Sequence, residues 1–493
     1  MERSEASAAG GGRGQGGRLW LAGFLVALLL YGVTLAPDLA WQDSGDYQFE
    51  AARLHLSRPG DAVRVHPWFL VVAHALGLIP VWNYAYAANL ASALGTALAA
   101  ANVLVLVRLM TGRTWPAAIA AVSLAVGHAV WAHAVVAETY GWAAAFLSAE
   151  CLCAWAWLAE RKGRWLLLLF FLNGAAISNH LMAVLSLAVF GAWVLYECFR
   201  RRAPAWVPPA AAVCWLVGGT LYWIVLGMEY GQSGSLLETL RSATVGRWGS
   251  HIFNLADLPV LFGKTLLYVG LNYPTPLILA IPVGAAVLVR RRDAFSRLVL
   301  VLAAVYFLWA ARYKVVDQYA FFIPFYVLAS ILIGAGAAAI LERHSPRVAW
   351  VLLAAALLPV AVYAVLPAVA ERAGYPSFPR HLPYRNPYVH FLQPWRTGDT
   401  SARRYAQDVL DSLPPGAVLA PDSTAAPPLM CLHVLEGRRP DVVIHGSGGA
   451  QGRRTFVTSD VPGYYPSWVV EHGRLEPFGL VWEVLPVAKE GGP

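Results

Sequence analysis

The feature that most limits what this chain can become is the alternation of long apolar runs with short Lys/Arg clusters. Runs such as "YAYAANLASALGTALAAANVLVLV" (84–107) reach the roughly 20 residues that cross a hydrocarbon core as a helix. In lipid each run must satisfy its own backbone N–H and C=O groups, and a run without strand alternation can do so only as an α-helix. Hydrophobic residues make up 58% of the 493 and charged residues 13%, so these runs are the bulk of the protein. The composition predicts an α-helical polytopic membrane protein.

Lys and Arg number 37 against 29 acids, but the excess is clustered: "GGRGQGGR", "RLMTGR", "ERKGR", "FRRRAP", "RRRDAFSR" and "ERHSPR", each between apolar runs. That pattern marks cytoplasmic loops and argues against a nucleic-acid surface. Consecutive inside clusters require an even number of crossings. Residues 19–36 pair with 84–107, 115–134 with 139–158, 165–178 with 180–198, 206–228 with 274–290, and 297–311 with 319–341, while 347–367 exits alone. About 11 spans result, with 66–80 and 257–271 as interfacial helices outside. The expected location is the plasma (inner) membrane, with the C-terminal region outside.

Four regions follow: a disordered cytoplasmic segment 1–17, a membrane domain 18–370 with its first outer loop at 37–83, a Pro/aromatic-rich linker 371–400, and an outer α/β domain 401–493. The five cysteines fall mostly in or beside apolar runs and suggest no disulfide framework. The run after residue 17 lacks a small-residue cleavage site and is read as a retained span. In the tail, "TSARRYAQDVLDSL", "AVLAPD", "APPLMCLHVLEG" and "DVVIHG" read as helix, strand, helix and strand, which implies a parallel pair. Asp422 follows the first of these strands, where it caps the next helix or meets a ligand. "GSGGAQG" (446–452) lacks the Lys-Ser/Thr ending of a phosphate loop and is read as a plain loop.

This topology brings the polar residues of five loops to one outer level: Asp43, Asp46 and Glu50, then His66, then Glu138, then Asn179 and His180, then Arg312, Lys314, Asp317 and Gln318. Singly, several have a structural reading; Glu138 can open a helix and Asn179-His180 can mark a turn. Together they fit a water-facing cavity at the membrane surface. Glu150 is different, standing mid-span in "FLSAECLCAW", where a charge costs ~3 kcal/mol or more on insertion. It is expected to be neutral or paired within the bundle, with His128 and His133 as candidate partners.

The stretches "WQDSGDYQFEAARLHLSRPGDAVRVHPWFLVVAHALGLIP", "VVAETYGWAAAFLS", "NGAAISNHLMAVL", "SLLETLRSATVGRW" and "VVDQYAFFIPFYVLA" resemble, in this order, GT-C glycosyltransferases. More closely they are similar to the family that joins bacterial membrane proteins to the eukaryotic O-mannosyltransferase transmembrane protein 260. The tail, including "EPFGLVWEVLP", resembles the bacterial members. Two departures stand out: Asp46 where many relatives carry Glu, and His66-Pro67 followed by Trp68 and Phe69 in place of Pro-Gly.

The resemblance implies transfer of a sugar, with mannose favoured, from a polyprenyl-phosphate donor to an acceptor hydroxyl on the outer face, usually with inversion. The acceptor is an exported protein Ser/Thr or an envelope glycan or lipid. It implies Asp43 as general base, with Asp46 orienting it or the acceptor, the two assigned as catalytic. His66, His180, Arg312 and Lys314 are then candidate phosphate contacts, and Glu138, Asn179, Asp317 and Gln318 complete the substrate-binding set. No cofactor is assigned beyond the lipid-linked donor. Some GT-C enzymes use a divalent metal, but no compact ligand spacing appears here. The competing class is a transporter or lipid flippase with Glu150 and His133 as relay; the lack of an internal repeat and the outer placement of charge weigh against it. A surface protein merely anchored by its bundle leaves the acidic first loop unexplained.

Overall fold

The computed structural model describes residues 2–246, 257–378, 380–444 and 453–486, with side chains from residue 16 onward except 470–472 and 486. The expected disorder of 1–17 falls almost wholly before the first described side chain, and "GSGGAQG" (446–452) lies outside the described residues.

Helices dominate. Among the described residues, seven are long and apolar enough to cross a membrane: Gly16–Thr34 within α1 (Glu2–Thr34), α4 (Tyr84–Thr111), α7 (Tyr140–Glu160), Leu181–Phe199, Ala294–Arg312, Gln318–Arg343 and Val348–Ala373. Three bent pairs raise the number to ten if each is one span: α5 (Thr114–Ala125) with α6 (His128–Ala134), Val207–Gly218 with Thr220–Ser233, and Leu258–Asn272 with Pro276–Arg291. The expected span 165–178 is the 16-residue helix α8 (Arg164–Asn179), about 24 Å long at 1.5 Å per residue, which carries the chain from the basic 160–164 turn to Asn179 beside His66.

Local chemistry explains the breaks. The 65° bend between α5 and α6 lies at Gly127, where an added Cβ would sit 2.7 Å from the Asn272 amide. Asn272 Oδ1 meanwhile accepts from the Ala129 N–H at 3.0 Å, so this side chain replaces a bond that the bend removes. At Gly284 and Gly336 the helices Ala280–Arg291 and Ile323–Arg343 touch backbone to backbone; a Cβ on either would collide with a carbonyl of the other.

The first outer loop contains α2 (Gln42–Arg53) and α3 (Pro67–Gly77). At 11 residues α3 is too short to cross, as expected for an interfacial helix. In the tail the expected parallel pair is present: β1 (Val418–Ala420) runs beside β2 (Val443–Ile444), with Val418 opposite Val443. The sheet is larger than expected. β3 (Thr455–Val457) lies parallel on the other edge of β1, and the hairpin of β4 (Gly473–Phe478) and β5 (Val481–Pro486) completes the order β2-β1-β3-β5-β4.

This sheet unit is docked on the first outer loop. Leu39, Trp41 and Ala85 are buried with Ala402, Tyr405 and Leu429 in one core. Trp41 Nε1 donates to Ser401 Oγ at 2.9 Å, and Arg403 joins Asp38 to Glu436. The linker also folds back: the Arg396 N–H donates to the Thr34 carbonyl at the outer end of α1.

Candidate functional site

The chain leaves α1 and is fixed at once. The Ala36 N–H donates to Val135 O, and the Gln48 side chain accepts from the Ala40 N–H and donates to Asn89 on α4, each at 2.9 Å. α2 then opens at Gln42 with φ +55, a left-handed conformation that costs an L-residue on the order of 1–2 kcal/mol. Its N–H donates to Thr424 O of the sheet unit, so that unit itself holds the turn that sets Asp43. Helical spacing puts Asp43, Asp46 and Glu50 on neighbouring faces of α2. Two arginines from the following turn face them: Arg64 lies 3.5 Å from Asp43, and Arg58 lies 3.4 Å from Asp46 and 3.5 Å from Glu50.

The opposite wall is the loop between α6 and α7. Ser92 on α4 clamps it by accepting from the Glu138 N–H at 2.7 Å and donating to the Glu138 carbonyl at 2.9 Å. Ser44 Oγ donates to the Glu138 carboxyl at 3.0 Å and so ties α2 to this wall. Asp317 stands at the start of the tight turn Gln318–Phe322, and Arg396 enters from the linker with its guanidinium donating to the carbonyls of His390, Gln393 and Trp395.

Between these parts lies a cavity of about 420 Å³. Asp43, Glu138 and Asp317 line it with His133, Tyr140, Tyr319 and Arg396, and the sheet unit adds Ser423, Thr424 and Tyr464. Burial, then the charge of Asp43, holds the Glu138 carboxyl well above the ordinary range. The same two causes push Asp317 up to about 6. Asp46 is also raised, by burial against the opposing pull of Arg58. Asp43 itself is 59% exposed, the most open of the four acids, Asp399 among them, that line the cavity. The arrangement sets an accessible carboxyl, Asp43, beside the raised Glu138 carboxyl and a guanidinium, which suits proton removal next to a developing negative charge.

Of the residues expected from sequence, the structure brings Asp43, Glu138 and Asp317 to this cavity. Asp46 stays on α2 between Arg58 and Arg64 and does not line it. His66, Asn179 and His180 form a layer behind the wall. His66 Nδ1 donates to the Asn179 carbonyl at 2.7 Å, the His66 and His180 rings stack at 5.1 Å, and Asn179 Nδ2 donates to the Thr139 carbonyl at 3.0 Å. They hold the Glu138 loop from beneath. Gln318 spends its amide on the carbonyls of Ala310 and Ala311, closing the end of the preceding helix. Arg312 sits in the last turn of that helix, and Lys314 pairs with Asp257 at 2.6 Å; neither lines the cavity.

Arg58, Arg64, Arg396 and Tyr319 were missed. The first two had a signal, since "SRPGDAVR" places two cations within reach of the acidic helix; Arg396 had none, because its proximity depends on a linker fold-back. The suggested partners of Glu150 are corrected. Asn173 Nδ2 on α8 donates to it at 3.0 Å, whereas His133 bonds the Ala129 carbonyl and faces the outer cavity and His128 packs against Tyr363. Helix-turn geometry directs those histidines outward, away from the face that carries Glu150. Asp422 does not cap the helix Ala426–Met430 but shapes the turn before it: it accepts from the Thr424 N–H at 2.8 Å, and its other oxygen takes Thr458 and Arg380. Among the described residues no three His, Cys, Asp or Glu side chains gather to hold a metal ion.

Residues 43–203, about a third of the chain, match the protein O-mannosyl-transferase TMEM260 N-terminal domain family. No curated protein matches by sequence. Among solved structures, ArnT from Cupriavidus metallidurans bound to undecaprenyl phosphate is similar at a TM-score of 0.60 and 17% identity, over 96% of this chain and 99% of that one. Its apo state is similar at 0.56 and 16% identity with the same coverage. The Archaeoglobus fulgidus oligosaccharyltransferase in the apo form reaches 0.45 at 12% identity, over 96% of this chain and 75% of that one. This chain has a GT-C, ArnT-like fold, and from its first outer loop to residue 203 it matches the TMEM260 N-terminal domain.

Proposed function

We propose that the protein is a membrane glycosyltransferase that moves a sugar, with a hexose and specifically mannose favoured, from a polyprenyl-phosphate carrier to an acceptor hydroxyl on the extracytoplasmic face. The observation that carries this reading is the convergence of Asp43, Glu138, Asp317 and Arg396 on one cavity at the outer ends of the apolar helices. Its volume falls within the roughly 300–1,000 Å³ of small-molecule sites. The TMEM260 match over 43–203 supports the sugar-transfer chemistry, and the ArnT structure bound to undecaprenyl phosphate supports a lipid-linked donor.

In this reading Asp43 takes the acceptor's hydroxyl proton while that oxygen bonds the anomeric carbon from the face opposite the phosphate. The bond from carbon to phosphate oxygen breaks, its electron pair stays on the phosphate, and the configuration inverts. General-base assistance of this kind is worth roughly 10²–10⁴-fold. Arg396 replaces the expected Lys314 as the cation facing the departing phosphate, and Arg64 sets the Asp43 carboxylate. Glu138, whose carboxyl burial and then the charge of Asp43 hold well above the ordinary range, faces a sugar oxygen. No resident cofactor or metal has a part in this scheme. The acceptor is an exported protein Ser/Thr or an envelope glycan or lipid, the membrane is the plasma membrane, and the sheet unit lies outside.

The test compares hexose on exported proteins and envelope glycans, by mass spectrometry, between cells making the wild type or Asp43→Asn at matched abundance. The expected result is one glycan class lost only in the mutant, and its carrier identifies the acceptor. If Asp43→Asn keeps the modification that a deletion removes, Asp43 is not the base.

A further inference from the structure

Beside the reaction cavity lies a second one, of about 490 Å³, built wholly from residues 384–404. The two share a wall, since His390, Arg396 and Asp399 line both. Three guanidiniums, Arg385, Arg396 and Arg404, line the second cavity against one carboxylate, Asp399, which already accepts from the N–H and hydroxyl of Ser401. None of the three arginines has an ion-pair partner among the described residues. Arg404 lies 4.0 Å over the Tyr384 ring, Arg385 lies 5.5 Å from the ring of Trp41, and Arg396 donates to backbone carbonyls. Two nitrogens on this wall, Arg385 Nε and His390 Nδ1, are buried with no hydrogen-bond partner.

Three guanidiniums against one carboxylate leave an excess of positive charge, and burial, then the charge of Arg380, push the Arg385 guanidinium down to about 10. An anion with several oxygens in one compact group is the ligand that planar donor forks match best. A polyprenyl tail runs in the bilayer, yet no residue of an apolar span lines this cavity. Its ligand therefore comes from the water side.

We propose that this cavity binds a phosphate-class anionic group carried by the acceptor, held by Arg385 and Arg404 so that a hydroxyl of the same molecule passes the His390–Arg396 wall toward Asp43. That the anion belongs to the acceptor rests on the transfer reading above; that the cavity takes an anion does not.

The experiment titrates inorganic phosphate into the full-length protein in lipid nanodiscs and follows binding by phosphorus NMR. Saturable binding is expected for the wild type, weaker by about tenfold or more in Arg404→Gln. It is expected to be lost in Arg385→Gln/Arg404→Gln. Arg404 is exposed and touches no core residue through its charge, so this variant keeps the test meaningful if the double variant fails to fold. No saturable binding to the wild type, or equal affinity in Arg404→Gln, overturns the proposal. Displacement of phosphate by undecaprenyl phosphate placed in the same discs assigns the cavity to the donor and overturns the acceptor assignment. Binding is read without transfer, so its failure leaves the role of Asp43 standing, and failure of Asp43 as base leaves the anion site standing.

Discussion

Two acids of the same neighbourhood, Glu150 buried midway along α7 and Glu138 half-buried just before its start, serve opposite ends. Glu150 is enclosed by α7, α8 and the helix Val184–Phe199; Asn173 bonds both it and Ser186, and the adjoining space is about 10 Å³, room for a single water. Glu138 borders about 420 Å³ and shares it with Asp43, Asp317 and a guanidinium. Burial alone does not mark a functional acid. What separates the pair is room: Glu150 gives one oxygen to Asn173 and turns the other to a space for one water, whereas Glu138 borders space for another molecule.

The strongest way to break this contrast is to exchange the acids for amides. Asp43→Asn is expected to lower transfer by roughly 10²-fold or more. Glu150→Gln, which keeps an acceptor for Asn173, is expected to leave transfer within about twofold, and Glu150→Ala to cost on the order of 1 kcal/mol of stability with the active site intact. An initial-rate assay with thermal denaturation of each variant decides; transfer lost in Glu150→Gln would revive the relay reading.

A smaller effect is expected where the outer domain grips the first loop. Arg403 bridges Asp38 and Glu436 and is only 20% exposed, so Arg403→Ala is expected to cost about 1–2 kcal/mol. Transfer should fall in parallel, because Gln42 takes its position from Thr424 of the same unit. Protease sensitivity of the 401–486 region measures the loosening; unchanged sensitivity with lost transfer would separate grip from geometry.

The finest test concerns pH. Asp317 titrates at about 6 in the folded protein against an ordinary value of 3.8. The unfolded chain releases this proton first, so Asp317 lowers stability progressively as pH rises from about 4 to about 6 and adds no further slope above that. Asp317→Asn is expected to remove this descent from the melting-temperature profile, and an unchanged profile would show that the group lies in a wetter setting than Glu138.

The helices were legible because lipid leaves a long apolar run no other way to satisfy its backbone. The parallel pair of β1 and β2 was legible from two apolar strands alternating with helical patterns. β3 was not, since "TFV" is three residues whose place depends on Val418 and Ala420 far upstream. In the site, sequence showed which polar residues stand at the outer level but not which way they face. Asp43 and Glu138 point into the cavity, while His66, Asn179 and Gln318, equally polar, are consumed by backbone carbonyls. Arg396 illustrates the other limit: it reaches the acids through a linker that returns to Thr34, a path with no local signature.

The docking of the sheet unit on the first loop has a consequence for the order of synthesis. Trp41 and Ser401 bond across 360 positions, and Thr424 fixes the turn before Asp43. The first loop leaves the ribosome long before its roof does, so for most of translation the acids stand in an unfinished wall. The grip on the first loop is complete only once the chain has been made past Thr424 and folded back, so a half-built copy lacks the contacts that set Asp43.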